Sequence, residues 1–186
     1  MTLSDFRVTL LGTGVPIPSP DRFGPCTLVE AGERKFLIDA GRGATIRLNQ
    51  LKIPIGRIDV QLLTHYHSDH TSGIPDVWLT GWLQSHFGTR KTPYRVIGPT
   101  GARELMENLE RAYALDIKIR TADEKLPLDS RSTMATSSSH VTGIALNTQG
   151  APPYSPATRA TTRTSSSMAP APTCWCMRLP ARGRNS

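Results

Sequence analysis

Three histidines and one aspartate crowd into six consecutive positions, His65-Tyr66-His67-Ser68-Asp69-His70, at the end of the mostly apolar segment Ile58 to Leu63. Imidazole nitrogens and carboxylate oxygens are the ligands that zinc and similar first-row ions take. Along an extended segment, alternation sets His65 and His67 on one side, while Asp69 and His70 follow at the turn. Two ligand pairs so close together could serve two adjacent ions. The other reading is a polar loop that happens to contain histidines. Three of the chain's five histidines lie here beside a carboxylate, and that favours the metal.

A strand must deliver such a loop, and Ile58-Asp59-Val60-Gln61-Leu62-Leu63-Thr64 reads as one, with the ligands at its C-terminal end. Upstream, Phe6-Arg7-Val8-Thr9-Leu10-Leu11 alternates as a strand, and Gly12-Thr13-Gly14 turns the backbone tightly. Pro16, Pro18, Pro20 and Pro25 keep the following segment out of any sheet ladder. Arg22 is the cation in that segment that could meet an anionic substrate, or it is simply solvated. Cys26 to Glu30 and Lys35 to Asp39 read as a hairpin around Ala31-Gly32-Glu33-Arg34, which makes Cys26 a small core residue. Ala44 to Leu51 has helical spacing and stops ahead of Pro54. A second helix from Gly73 to Leu83 puts Trp78 and Trp82 on one face, as core. Tyr94 to Pro99 reads as a strand, Gly101 to Tyr113 as a helix, and Asp116-Ile117-Lys118-Ile119-Arg120 as a final alternating strand. His86 sits in a polar connection, exposed.

His65-Tyr66-His67-Ser68-Asp69-His70 resembles the HxHxDH signature of the metallo-β-lactamase superfamily. Leu11-Gly12-Thr13-Gly14, Leu37-Ile38-Asp39-Ala40-Gly41 and Ile97-Gly98-Pro99 resemble its ribonuclease Z-like branch. The resemblance covers residues 6–128. It implies an α/β chain forming the N-terminal half of a four-layer αββα sandwich, with residues 1–128 as an incomplete domain. It also implies a zinc-dependent hydrolase or endonuclease that cleaves phosphodiesters or esters with a metal-bound hydroxide, while a polar N-terminus without a secretory pattern makes a cytoplasmic protein the expectation. RNA or a small ester would be the substrate, and a homodimer the assembly. By the same resemblance His65, His67, Asp69 and His70 are metal ligands and Asp69 also orients the nucleophile. Asp39 would orient a metal-bound histidine from behind, or else serve as a helix cap or Asx turn.

The remainder departs from this pattern. Residues 1–130 hold 16 Lys and Arg against 15 Asp and Glu, whereas residues 131–186 hold six Arg, no Lys and no acid. This Ser-, Thr-, Pro- and Ala-rich tail cannot bury enough apolar surface to offset chain entropy, so residues 129–186 are expected to be disordered. No membrane-length apolar span and no secretory pattern is visible. Cys26, Cys174 and Cys176 form no disulfide or zinc pattern and are assigned no chemistry.

The later ligands that the resemblance implies, among them a bridging aspartate in a Ser-Gly-Asp-Thr turn and a last histidine, cannot be read in residues 129–186, where His140 is the only histidine. A change of reading frame accounts for this. When the last base of each codon is joined to the first two of the next, Met168 and Ala169 can only give Gly, Cys174 and Trp175 only Leu, and Trp175 and Cys176 only Val. Cys176 and Met177 then give His or Tyr, and Met177 and Arg178 give Glu or Ala. In the same frame Ser155 to Arg159 permits Ser-Gly-Asp-Thr-Arg. Residues 153–178 are therefore read as an out-of-frame version of the missing half, joined somewhere between Leu128 and Pro153. Three functions remain open. They are an active hydrolase, a degenerate non-catalytic product, and a metal-bearing head with a basic tail that attracts nucleic acid.

Overall fold

The computed structural model describes residues 6–126 and 128–137. Six strands form one mixed sheet in the order β1-β2-β3-β4-β5-β6. They are β1 Phe6–Gly12, β2 Cys26–Ala31, β3 Arg34–Ile38, β4 Val60–Leu62, β5 Tyr94–Gly98 and β6 Thr133–Ser137. The first three pair antiparallel, and β3 through β6 run parallel. Parallel neighbours need crossovers, supplied here by α1 Ala44–Gln50, α2 Ser68–Thr71, α3 Ile74–Trp82, α4 Ala102–Ala112, α5 Ala114–Asp123 and α6 Leu128–Arg131. This is an α/β fold of the expected partial kind. Among the described residues, no helix is long and apolar enough to cross a membrane.

Register assigns side chains to faces, because partnered residues share a face and neighbours along a strand do not. One row runs Thr9, Leu28, Leu37, Gln61, Val96, Ala135 across all six strands. Its apolar members Leu28, Leu37, Val96 and Ala135 join Leu48, Val77, Trp78, Trp82 and Met106 of the helices in one core. Both tryptophans are fully buried, as expected. Trp78 satisfies its indole N–H by donating to the Arg131 carbonyl at 2.7 Å. Gln61, buried in this row, accepts a hydrogen bond from the Tyr94 hydroxyl at 3.0 Å, and burial raises that phenol's pKa. Cys26 is core too.

Two expectations are overturned. Asp116–Arg120 is not a strand but lies within α5. Five alternating residues cannot distinguish the two periods, and the helix is favoured by Arg120, which pairs with Asp116 and Glu124 at helical spacing. It also separates the isoleucines, burying Ile117 and leaving Ile119 half exposed. Nor does regular structure stop at Asp129. Helix α6 continues to Arg131, and β6 adds itself to β5 from Tyr94↔Thr133 to Gly98↔Ser137. Ladder hydrogen bonds to a neighbouring strand hold this polar segment, which its composition does not announce. His140, the frame-shifted reading of residues 153–178 and the disorder expected beyond Ser137 lie outside the described residues.

Candidate metal centre

The site forms where β3 and β4 end side by side. Ile38 pairs with Leu62, so the residues that follow, Asp39 and Thr64, emerge at one margin of the sheet. Asp39 takes a left-handed backbone conformation, φ 56°, which aspartate tolerates better than most residues. Its N–H remains bonded to the Leu62 carbonyl at 2.8 Å. The turn buries its carboxylate under the histidine loop.

That carboxylate accepts three hydrogen bonds. The Thr64 N–H reaches Oδ1 at 2.9 Å and the Thr64 hydroxyl reaches Oδ2 at 2.7 Å. His70 Nδ1 lies 2.8 Å from Oδ2. Because a carboxylate only accepts, His70 carries its proton on Nδ1 and presents Nε2 as a lone pair. The Thr64 oxygen, having donated its hydrogen to Asp39, accepts from His65 Nδ1 at 2.9 Å, so His65 also presents Nε2. Asp39 thus sets the tautomer of two histidines, one directly and one through Thr64. It does not cap a helix, since Gly43 precedes α1 in that position. The bridging role of Thr64 was not read from the sequence, where a threonine after an apolar strand carries no special signal.

Backbone contacts hold the loop down. The Ala40 N–H donates to the His70 carbonyl at 2.8 Å, and the Gly73 N–H donates to the Ala40 carbonyl at 2.8 Å. Gly24 and Gly41 press so closely on the Asp69 carbonyl that a Cβ at Gly41 would stand 2.5 Å from it. Asp69 is consequently buried, with Oδ2 3.7 Å from His70 Nε2. His65 Nε2 lies 3.1 Å from His67 Nδ1, the two rings edge to face at 4.7 Å, and the His65 and His70 rings are 4.0 Å apart.

The structure therefore brings His65, His67, Asp69, His70 and Asp39 together. Their donor atoms come in twos, one pair at 3.1 Å and one at 3.7 Å. Two ligands of one tetrahedral zinc, at about 2.0–2.1 Å each, stand roughly 3.3–3.4 Å apart, so each pair has the spacing of shared coordination. Among the described residues no group of three His, Cys, Asp or Glu side chains could hold an ion. Arg22 is not part of this cluster. It lines a groove with Thr13, Phe23, Arg47 and Gln50, in which the Arg47 guanidinium stacks on the Phe23 ring at 4.7 Å. His86 is also apart, exposed and tilted against the Phe87 ring.

The metallo-beta-lactamase superfamily model matches residues 19–127, more than half of the chain and all of this site. The chain belongs to the metallo-β-lactamase superfamily. Its sequence is similar to ribonuclease Z of Mycolicibacterium gilvum, 46% identical over 116 residues, covering 62% of this chain and 40% of that protein. Ribonuclease Z of Mycobacterium marinum is 44% identical over 116 residues, with 62% and 41% covered. In structure the chain is similar to the short form of human tRNase Z, with a TM-score of 0.55 and 28% identity over 70% of this chain and 44% of the other. The chain thus spans about two fifths of the length of the curated relatives it matches.

Proposed function

We propose that this chain carries the metal-loop portion of a zinc-dependent phosphodiesterase of the ribonuclease Z-like branch, and that on its own it binds zinc weakly and does not turn over. The observation that carries the reading is the pairing of donors, Nε2 of His65 with Nδ1 of His67 and Oδ2 of Asp69 with Nε2 of His70. The names of the relatives, ribonuclease Z and tRNase Z, favour RNA over small esters as substrate.

The donors suit zinc. His65 Nε2 faces His67 Nδ1 at 3.1 Å, a gap that a proton on His67 bridges as a hydrogen bond and that a cation could bridge in its place. Zinc bound there supplies Lewis-acid polarisation of a phosphoryl oxygen and acidifies water toward neutral pH. The chain's own residues do the rest of the positioning. Asp39 holds His70 and, through Thr64, His65 with Nε2 outward. Asp69 offers Oδ2 on the His70 side as a donor for the ion, which would leave its other carboxylate oxygen to accept a hydrogen bond from an attacking water and orient it. Two donors per ion leave each tetrahedral shell half filled, which is the reason for expecting weak binding. Arg22, on the loop whose Gly24 packs against Asp69, is the candidate contact for an RNA phosphate.

Zinc titration of the purified full chain, with cleavage assays on a 3′-extended tRNA and on a chromogenic phosphodiester, tests this. Weak zinc binding lost in the His65→Ala and His70→Ala variants, with no cleavage, is the expected result. Stoichiometric binding of two ions, or hydrolysis abolished by chelator and by Asp69→Ala, would overturn the inactivity. No zinc binding at all would overturn the metal reading. The nucleotide sequence covering codons 125–160 tests the frame reading, which fails if the third bases cannot encode Ser-Gly-Asp-Thr at Ser155 to Thr158.

A further inference from the structure

Tyr66 stands between His65 and His67 in the metal loop and is not itself one of the donors. The segment is extended, His67 having φ −60° and ψ 144°, so neighbouring side chains leave it on opposite sides. On one side His65 and His67 meet at 3.1 Å. On the other, the Tyr66 hydroxyl donates to the carbonyl of Pro99, just past the end of β5. Two glycines bring that carbonyl within reach. Gly98 ends β5 so close to the loop that a Cβ there would stand 3.1 Å from Cβ of Leu63, and the Leu63 N–H donates to the Ile97 carbonyl at 2.8 Å. Gly101, at φ 106°, turns the chain into α4, and the Tyr66 ring lies over it, 3.5 Å from where a Cβ would be.

We propose that Tyr66 is the positioning residue of the His65–His67 donor pair, a strut whose hydroxyl, tied to Pro99, fixes the backbone between the two ligands so that both rings converge on one ion. The proposal rests on the metal reading of this loop. The two donor pairs are held by different means. Asp69 and His70 are fixed from the β3 side, by the Ala40 N–H on the His70 carbonyl, by Gly41 packed on the Asp69 backbone and by the Asp39 carboxylate. Asp39 reaches His65 through Thr64. His67, which meets His65 rather than Asp39 or Thr64, takes its position from the backbone that carries it. The residue that ties this backbone to the sheet is Tyr66. Without its hydrogen bond, rotation at Tyr66 separates the two rings, while the pair beyond His67 keeps its own supports. Metal affinity then falls because the donors must be ordered as the ion binds.

Tyr66→Phe removes the tie and little else. Phenylalanine keeps the ring over Gly101, and the Pro99 carbonyl keeps the Ala102 N–H at 3.2 Å, so the turn stays closed. Imidazole nitrogen NMR of the metal-free full chain at fixed pH, with zinc titration of the same samples, is the test. In Tyr66→Phe the ring resonances of His65 and His67 should shift or broaden and those of His70 should stay in place. Zinc affinity should fall by about two- to tenfold, the net contribution of one hydrogen bond. Tyr113→Phe, at the other end of α4, should leave both readouts as in the parent. Unchanged His65 and His67 resonances in Tyr66→Phe would overturn the proposal, and so would a displacement of His70 as large as theirs, which marks a general loosening of the loop. If the parent chain binds no zinc, the metal reading fails, and the ring resonances alone decide whether Tyr66 sets the pair.

Discussion

The two faces of the sheet are made by the same strands and behave differently. On the helix side, Leu28, Leu37, Val96 and Ala135 interlock with Leu48, Trp78, Trp82 and Met106. On the other side the row reaches Val29, Val60 and Leu62, which are buried, but at its margins Phe6, Val8, Leu10 and Met134 are more than half exposed. Strand β1 makes the contrast sharpest. Its apolar residues Phe6, Val8 and Leu10 face away from the helices, whereas Arg7 and Thr9 share the helix side with Leu11. An alternating pattern identifies a strand and separates its two sides. Which side becomes core depends on what packs there.

Truncation measures this difference most directly. Trp78→Ala removes a fully buried ring and the hydrogen bond to Arg131, and should cost about 3–5 kcal/mol in chemical denaturation, enough to unfold a marginal domain. Val8→Ala should change stability by less than about 0.5 kcal/mol. Comparable losses at the two positions would mean that the faces are equally covered in solution. Gly41→Ala comes next, because its Cβ would meet the backbone of Asp69 and Gly24, both at 2.5 Å, and neither can move without shifting the metal loop. It should cost about 1–3 kcal/mol, as overpacking does, and should weaken zinc binding as well, read by denaturation and by titration.

Asp39 tests the site more finely. Asp39→Ala leaves Thr64 and His70 without their acceptor and both histidine tautomers unset. Losses of this kind behind a ligand typically cost about 10–100-fold in metal affinity. Asp39→Asn keeps one acceptor oxygen for these three donors and turns an NH2 group toward the rest, so it should lose zinc affinity as well although it preserves the volume. An unchanged zinc affinity in Asp39→Ala would separate the buried carboxylate from metal binding.

Much of this was legible in the sequence. The strands β1 to β5, the helices carrying Trp78 and Met106, and the crowding of His65, His67, Asp69 and His70 all follow from periodicity and spacing. What stayed hidden depended on tertiary context. Thr64 becomes a bridge only because β3 and β4 end side by side, and although a carboxylate behind a histidine was one of two readings of Asp39, that the partner is His70 follows from its left-handed turn. The Asp116–Arg120 segment holds too few residues to tell a period of 2 from one of 3.6, and β6 is polar because a neighbouring strand supplies what holds it.

The smallest expected effect concerns Cys26, on the well-covered side of β2. Burial, with a lesser contribution from the charge of Asp39, raises its thiol from 9.0 to about 12. The folded state therefore favours the neutral thiol. The stabilisation is complete below about pH 9 and is lost as pH rises toward 12, because the unfolded chain then gives up the proton first. Iodoacetamide near neutral pH should leave Cys26 unmodified in the native chain and label it once denaturant is added, as peptide mapping would show, since only thiolate reacts and here it is both scarce and shielded. Raising the pH from 9 toward 12 should lower the melting temperature more in the parent chain than in Cys26→Ala. Native labelling of Cys26 as fast as that of a free thiol would mean that the β2 side opens readily, and the distinction between the two faces would then fail at the strand they share.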